Sequence, residues 1–191
     1  MKLRIVILLL VIGFSGLNNS IGQAKIYKGN SLSFDSLLIK KGNRSKGVLF
    51  PTVRVSNSKM VFENSILKNK VTYINFWFKA CPPCIAEMPS LTLFYKKIKK
   101  LKDVQFISLT FEDKKTISEM IKKYKITYPV FSISKNDCYR LNQDNGFPTS
   151  IVVDKKGVIQ FLLSGYNTDP KKAYAVLFKT VFPEIVKQIN K

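Results

Sequence analysis

Two cysteines three positions apart, Cys81 and Cys84, enclose two prolines in a Cys-Pro-Pro-Cys motif. The motif follows an apolar run at residues 71–78 and precedes a stretch with helical spacing of apolar residues at 85–100. This order predicts that the cysteines begin a helix, where unpaired N–H groups and the helix dipole lower the pKa of the first thiol. We therefore expect Cys81 to attack a disulfide and Cys84 to resolve the mixed disulfide.

Two other interpretations of this motif stay open. A zinc site would need Cys138 and a carboxylate as its remaining ligands, which is an unusual set, so we predict no metal. A purely structural disulfide would close a very small loop and remove little entropy from the unfolded chain.

The composition excludes several classes of enzyme. The chain has 191 residues, 46% of them hydrophobic, and no histidine, which excludes imidazole-based catalysis and histidine metal sites. It contains no glycine-rich phosphate-binding motif, and we expect no cofactor. Its 32 basic and 12 acidic residues give a net charge of +20, but only four of the basic residues are arginines. Because nucleic-acid readout relies on arginine, we expect a solvated lysine surface and no nucleic-acid partner.

The amino terminus has the pattern of a secretory signal peptide. Two basic residues precede an apolar run at residues 5–17, and the small residues Gly22 and Ala24 come at the expected cleavage positions. We therefore predict a signal peptide at residues 1–24 and a periplasmic or otherwise extracytoplasmic mature protein, in which disulfides persist. An uncleaved membrane anchor is the alternative, although the apolar run is short for a bilayer span.

Strand and helix patterns alternate along the rest of the chain. After a variable lead-in at 25–46, residues 47–191 read as one α/β domain, with helices on a central mixed sheet. The predicted elements are a hairpin at 53–62, strands at 71–78, 104–111 and 128–133, helices at 85–100, 116–124 (capped by Asp113) and 136–142, a hairpin with strands at 151–153 and 158–163, and a last helix starting at Asp169 and Pro170.

Several motifs together resemble the exported TlpA/ResA-type thiol-disulfide oxidoreductases of the thioredoxin superfamily. They are Phe50-Pro51, YINFWFKACPPCIAEMP around the cysteines, and GFPTSIVVDKKG from residue 146. The resemblance implies a thioredoxin-like fold with an added N-terminal β-hairpin and a monomeric protein-disulfide reductase. It also implies extracytoplasmic protein thiols and disulfides as substrates and a membrane thiol carrier as electron donor. Apocytochrome c is one possible client.

The same resemblance assigns roles to individual residues. It implies a redox-active Cys81–Cys84 disulfide. It also implies that Glu87 is a proton shuttle for Cys84. The alternative role for Glu87 is that of an acid that complements the helix dipole. Pro148 would be cis and lie opposite the sulfurs, and the backbone of Phe147 would pair with an extended substrate.

Further residues need separate assignments, and several of them depart from the pattern of the TlpA/ResA-type proteins. Trp77 is assigned to substrate binding, with core packing as the alternative. Ala80 replaces a frequent tryptophan, and the preceding Lys79 would lower the pKa of the Cys81 thiol if its ammonium lay close to the sulfur. Asn75 stands where many thioredoxins have a buried acid, and Cys138, without a counterpart, is expected to be a buried free thiol. A disulfide oxidase or isomerase, or a binding module of the same fold, stays open as an alternative function.

Overall fold

The computed structural model describes residues 45–52, 64–165 and 168–191. The predicted signal peptide, nearly all of the lead-in and the predicted hairpin at 53–62 lie outside these residues. Within them, no helix combines the length and apolar character that a bilayer span requires.

Five strands form one mixed sheet with the order β3-β2-β1-β4-β5. The central strand β1 pairs in parallel with β2, which pairs in parallel with β3, and β1 pairs antiparallel with β4, which pairs antiparallel with β5. All seven residues of β1 are buried, as the apolar run predicted for a strand covered on both faces. The strands are β1 (Val71–Trp77), β2 (Val104–Thr110), β3 (Val130–Ser132), β4 (Thr149–Val153) and β5 (Ile159–Ser164).

Helices cover both faces of the sheet, so the predicted helix-flanked mixed sheet is confirmed. Alternate residues of β1 enter two separate core clusters: Tyr73 and Trp77 join one, and Ile74 and Phe76 join the other. A 3₁₀ turn at Asn64–Leu67 precedes the sheet, and the helices are α1 (Pro82–Ile98), α2 (Lys114–Tyr124), α3 (Lys135–Leu141), α4 (Pro170–Val176) and α5 (Phe182–Ile189), with a π-helical segment, Leu177–Val181, between the last two.

Side-chain caps define where α2 and α4 begin. Asp113 accepts a hydrogen bond from the backbone N–H of Thr116 at 2.7 Å, which confirms the predicted cap, and α2 begins directly after it, two residues earlier than predicted. Asp169 caps α4 in the same way by accepting from Lys171 N at 2.9 Å, and Pro170 occupies the first turn.

The segment that contains the Phe50-Pro51 motif pairs with the outer edge of β5. Gly47 N donates to Ile159 O, Phe50 N donates to Gly157 O and Ile159 N donates to Val48 O, each at 2.8 Å. Phe50 itself is buried in the same core cluster as Ile74 and Phe76. These hydrogen bonds satisfy backbone groups that an edge strand otherwise exposes.

Two leucines on α1 test the orientation of this helix. Leu91 is 1% exposed and Leu93 is 51% exposed, although they are only two residues apart. We expect Leu91→Ala to lower the free energy of unfolding by about 3 kcal/mol, because it leaves a cavity in the core. The matched variant Leu93→Ala is expected to change it by less than about 0.5 kcal/mol. Urea unfolding of the oxidised protein measures both values, and equal losses would contradict the assigned orientation of α1.

Candidate active site

Cys81 and Cys84 are joined by a disulfide at the amino-terminal end of α1, with their Cα atoms 5.2 Å apart. Cys81 is the N-cap residue, and its Sγ accepts a hydrogen bond from Cys84 N at 3.3 Å. Pro82 and Pro83 occupy the first turn, where no intrahelical N–H partner is lost. Cys81 is 3% exposed and Cys84 is fully buried, so the first sulfur is the more accessible one. The predicted position of the pair after β1 is confirmed, and the helix terminus can stabilise a thiolate on Cys81 after reduction.

Glu87 lies in the protein core one helical turn after Cys84. Its side chain is fully buried, and Oε1 accepts a hydrogen bond from Asn75 Nδ2 at 2.8 Å. Burial raises the pKa of this carboxyl from 4.5 to about 8, and the Asn75 hydrogen bond only partly opposes that effect. Such a carboxyl exchanges a proton near neutral pH, whereas an exposed acid that complements a helix dipole would stay ionised.

A buried hydrogen-bond network extends from Asn75 to Trp77. Ser108 Oγ donates to Asn75 Oδ1 at 3.5 Å and accepts from Trp77 Nε1 at 2.9 Å. Trp77 is only 1% exposed and packs in the same cluster as the two cysteines. This burial favours the core-packing alternative, and the assignment of Trp77 to substrate binding stays a prediction.

The loop before β4 presents Phe147 and Pro148. Their peptide bond is cis, as the resemblance implied, and Pro148 is buried. The carbonyl oxygen of Gly146 accepts hydrogen bonds from Asn142 Nδ2 at 2.9 Å and from Thr149 Oγ1 at 2.7 Å. Gly146 has a positive φ of 78°, which a residue with a side chain adopts at a cost. These contacts fix the backbone directly ahead of Phe147.

Four rings form an aromatic cluster at one end of the sheet: Phe78, Phe111, Tyr139 and Phe147. Phe147 lies 5.2 Å from Phe78, 5.9 Å from Phe111 and 5.3 Å from Tyr139, measured between ring centroids. Phe78 and Phe111 directly follow the parallel strands β1 and β2, so both leave the sheet at the same edge. Sequence reasoning missed Phe111 and Tyr139 as parts of the site. An aromatic residue directly after each of two parallel strands was the available signal.

The ammonium group of Lys79 is paired with an acid of α2. Its Nζ lies 3.4 Å from Glu119 Oε2, and both side chains are about half exposed. The backbone N–H of Lys79 also donates to Glu112 Oε1 at 2.6 Å. The contacts of Lys79 are therefore with acids, and an exposed pair of this kind contributes at most about 1 kcal/mol.

Cys138 is separated from the redox pair by the sheet. It lies fully buried in α3 as a free thiol, in the core cluster on the face opposite Cys81 and Cys84. Burial raises the pKa of its thiol to about 12. Cys138 is thus a packing residue, as expected. Among residues 45–52, 64–165 and 168–191, no three cysteine or acidic side chains are grouped so that they could hold a metal ion.

Comparisons with known proteins agree with this geometry. The Redoxin family profile matches residues 45–177. A thiol-disulfide oxidoreductase ResA of Bacillus cereus is 26% identical over 166 residues, which are 86% of this chain and 88% of the relative. The thioredoxin-like protein YneN of Bacillus subtilis is 26% identical over 168 residues, covering 85% of this chain and 89% of the relative.

Solved structures from other organisms share this fold, and two of them illustrate the degree of similarity. A thioredoxin-family thiol:disulfide interchange protein of Chlorobium tepidum superposes with a TM-score of 0.54 at 22% identity, covering 71% of this chain and 97% of that chain. The thioredoxin domain of a thiol-disulfide oxidoreductase of Bacteroides vulgatus gives 0.55 at 22% identity, with the same shares. These matches confirm a thioredoxin-like fold. The chain belongs to the Redoxin family, as a TlpA/ResA-type member of the thioredoxin superfamily.

Proposed function

We propose that this protein is a thiol-disulfide oxidoreductase that exchanges disulfides with protein substrates through Cys81 and Cys84, in the reducing direction. The observation that carries the proposal is the Cys81–Cys84 disulfide at the start of α1, with the buried Glu87 one turn behind it. The names of the curated relatives ResA and YneN support the same class of activity.

The exchange takes place in two displacements. In the reduced protein, the Cys81 thiolate attacks one sulfur of a substrate disulfide, and the other substrate sulfur leaves as a thiolate. Cys84 then loses its proton and attacks Cys81 Sγ, which releases the first substrate sulfur and forms the Cys81–Cys84 disulfide. Two electrons pass to the substrate. A donor dithiol then supplies two electrons that reduce the Cys81–Cys84 disulfide again.

Glu87 is suited to accept the proton that Cys84 must lose. Cys84 is fully buried, so water cannot readily take this proton, and Glu87 lies one turn further along the same helix. A carboxyl with a pKa of about 8 is near the value at which general-base catalysis is efficient at neutral pH. The ionised form of Glu87 accepts the proton, and the protonated form returns it when the pair is reduced again.

The aromatic cluster and the loop before β4 form the surface that we assign to the substrate. We assign the Phe147 backbone to pairing with an extended substrate segment, as in strand addition. Tyr139 is 37% exposed, and Phe78, Phe111 and Phe147 are partly buried, so apolar ring surface stays accessible. This surface favours a substrate cysteine with an apolar neighbour.

We further propose that the protein works outside the cytoplasm and receives electrons from a membrane thiol carrier. Residues 1–24 support this location by their signal-peptide pattern. The alternative functions, a disulfide oxidase or isomerase and a redox-independent binding module, differ from the reductase in measurable ways.

Replacing each cysteine separates catalysis from binding. We expect Cys81→Ser to abolish the reduction of insulin by dithiothreitol above the uncatalysed rate, because the attacking sulfur is lost. Cys84→Ser keeps that sulfur and is expected to accumulate a mixed disulfide, which mass spectrometry without reductant detects. Cys138→Ala is the control and should retain activity. Full activity of Cys81→Ser would contradict the role of Cys81 as the attacking sulfur, whereas a partner that stays bound after both cysteines are replaced would favour a binding function.

The redox potential of the pair decides the direction of the reaction. We expect equilibration with glutathione to give a potential below that of the glutathione couple, near the value of about −270 mV found for thioredoxin. The reason is the resemblance to the TlpA/ResA-type proteins, which favours the reducing direction. A potential well above the couple, towards about −120 mV, is the result that an oxidase would give.

Burial of Glu87 makes the stability of the oxidised protein depend on pH. Between pH 4.5 and about 8 the folded protein keeps the Glu87 proton, which the unfolded chain releases. The folded state therefore binds more protons, and the free energy of unfolding falls as the pH rises through this window, by up to about 4 kcal/mol. We expect Glu87→Gln to remove most of this decline in urea unfolding measured from pH 5 to 8.

The chain is favourable for this measurement because it has no histidine, so no imidazole titrates in the same window. Glu119→Gln, at a half-exposed acid, is the control and should keep the wild-type decline. Parallel curves for wild type and Glu87→Gln would show that the carboxyl is ionised in the folded protein.

A further inference from the structure

Among the described residues, five buried side-chain oxygen atoms lack a hydrogen-bond partner, and two of them belong to titratable side chains. These two are Oε2 of Glu87 and the phenolic oxygen of Tyr128. Glu87 is fully buried and Tyr128 is 4% exposed. Glu87 is also the only Asp, Glu, Lys or Arg side chain that is buried in the part of the chain that the structure describes.

The register of the sheet places these two groups on one face. Asn75, whose amide holds Glu87, pairs with Ser108 of β2, and Ser108 pairs with Val130 of β3. Tyr128 precedes Val130 by two residues, and Tyr128 belongs to the core cluster on this face, against which Val130 packs. Its ring lies 4.8 Å from that of Phe106, two residues before Ser108, and it belongs to the cluster that contains Cys84.

The two unpartnered oxygens are chemically complementary. A phenol hydroxyl donates and accepts hydrogen bonds, and a carboxylate oxygen accepts them. Leaving either group unpaired in the core costs about 1–3 kcal/mol, and internal waters commonly bridge such groups. Burial and, as the smaller cause, the Glu87 charge both raise the pKa of the Tyr128 hydroxyl.

We propose that Ser108 and Tyr128 are positioning residues for Glu87. Ser108 fixes Asn75, which donates to Oε1, and the Tyr128 hydroxyl serves Oε2 through one internal water molecule. Neither residue reaches the sulfurs or the substrate. The inference deepens the proposed function, because it concerns the proton that Cys84 gives up, but the arrangement of the carboxyl can be tested without any activity assay.

Each of these hydrogen bonds stabilises the ionised form of Glu87. Asn75 lowers the pKa of the carboxyl directly, and Ser108 acts by holding the Asn75 oxygen, which turns the amide group of Asn75 towards Glu87. A hydroxyl that donates to Oε2 acts in the same direction. Losing a hydrogen bond to a charged group raises the pKa of an acid by about one unit.

Few other titratable groups face this carboxyl. Its own helix contributes Cys81 and Cys84, and β1 contributes Tyr73, whose hydroxyl is 2.7 Å from Ser150 Oγ. The α1 residue Tyr95 lies at the edge of the cluster. The buried residues that β2, α2, β4, β5, the π-helical segment and α5 add to this cluster are apolar: Phe106, Met120, Val152, Phe161, Leu163, Leu177, Val181 and Ile185.

The chain offers a matched control for each variant. Ser150 is as buried as Ser108 and pairs with Asn75 from the other side of β1, but its hydroxyl contacts Tyr73. Tyr95 lies 5.5 Å from the same Phe106 ring that Tyr128 contacts, and it is only partly buried. Ser150→Ala and Tyr95→Phe therefore remove the same atoms from the same core without touching the Glu87 network.

The experiment is a titration of the oxidised full-length protein with ¹³C-labelled glutamate side chains. The Glu87 carboxyl signal is assigned by its loss in Glu87→Gln, and NMR follows its chemical shift against pH. We expect Ser108→Ala and Tyr128→Phe each to raise the midpoint by about one unit, whereas Ser150→Ala and Tyr95→Phe leave it at the wild-type value.

A wild-type midpoint in Tyr128→Phe overturns the role of the phenol, and a wild-type midpoint in Ser108→Ala overturns the role of the serine. Equal shifts in variants and controls overturn both, because they indicate a general loosening of the core. A variant that is too unstable to titrate is measured in the presence of sulfate, which favours the folded state. Insulin reduction tests the proposed function separately, so its failure is distinguishable from an unshifted carboxyl.

Discussion

The hydrogen bond between Asn75 and Glu87 connects the two elements on which the site depends. Asn75 belongs to the central strand of the sheet, and Glu87 belongs to the helix that begins at the redox pair. A carboxyl group enters a core only if it is neutral or well paired, because burial disfavours its charged form. This contact therefore links the helix to the sheet, and it partly opposes the rise in the Glu87 pKa that burial causes.

The mixed sheet explains why the remaining parts of the site meet. The carboxyl ends of the parallel strands β1 and β2 and the amino end of the antiparallel strand β4 lie at the same edge. Phe78, Phe111 and Phe147 therefore converge there, and the disulfide follows β1 by only a few residues. The apolar surface offered to a substrate is a consequence of strand direction.

Some of the lysines of this basic chain lie in the last turns of helices. Lys96 and Lys97 lie in the last turn of α1, and Lys122 and Lys123 lie in the last turn of α2. Positive charges at these positions interact favourably with the helix dipole. These four lysines thus account for part of the positive charge, whereas the redox pair lies in an apolar environment that contains a single buried carboxyl.

The sequence by itself determined the features that depend on short spacings. The position of Cys81 and Cys84 between a buried strand and an amphipathic helix, and the cap at Asp113, follow from residue periodicity and from hydrogen bonds between near neighbours. The resemblance added the cis bond before Pro148 and the identity of Glu87 as the acid of the site.

Only the tertiary structure decided what surrounds these residues. Glu87 could have faced solvent from the same helical position, and Trp77 could have reached the surface. In the core, Glu87 accepts a hydrogen bond from Asn75 of the preceding strand, and Trp77 donates one to Ser108, 31 residues later. The convergence of Phe111 and Tyr139 on Phe147 likewise depends on sheet order. Periodicity predicts which side of an element is apolar. Contacts between distant segments depend on how the elements pack, and a local sequence pattern does not predict that packing.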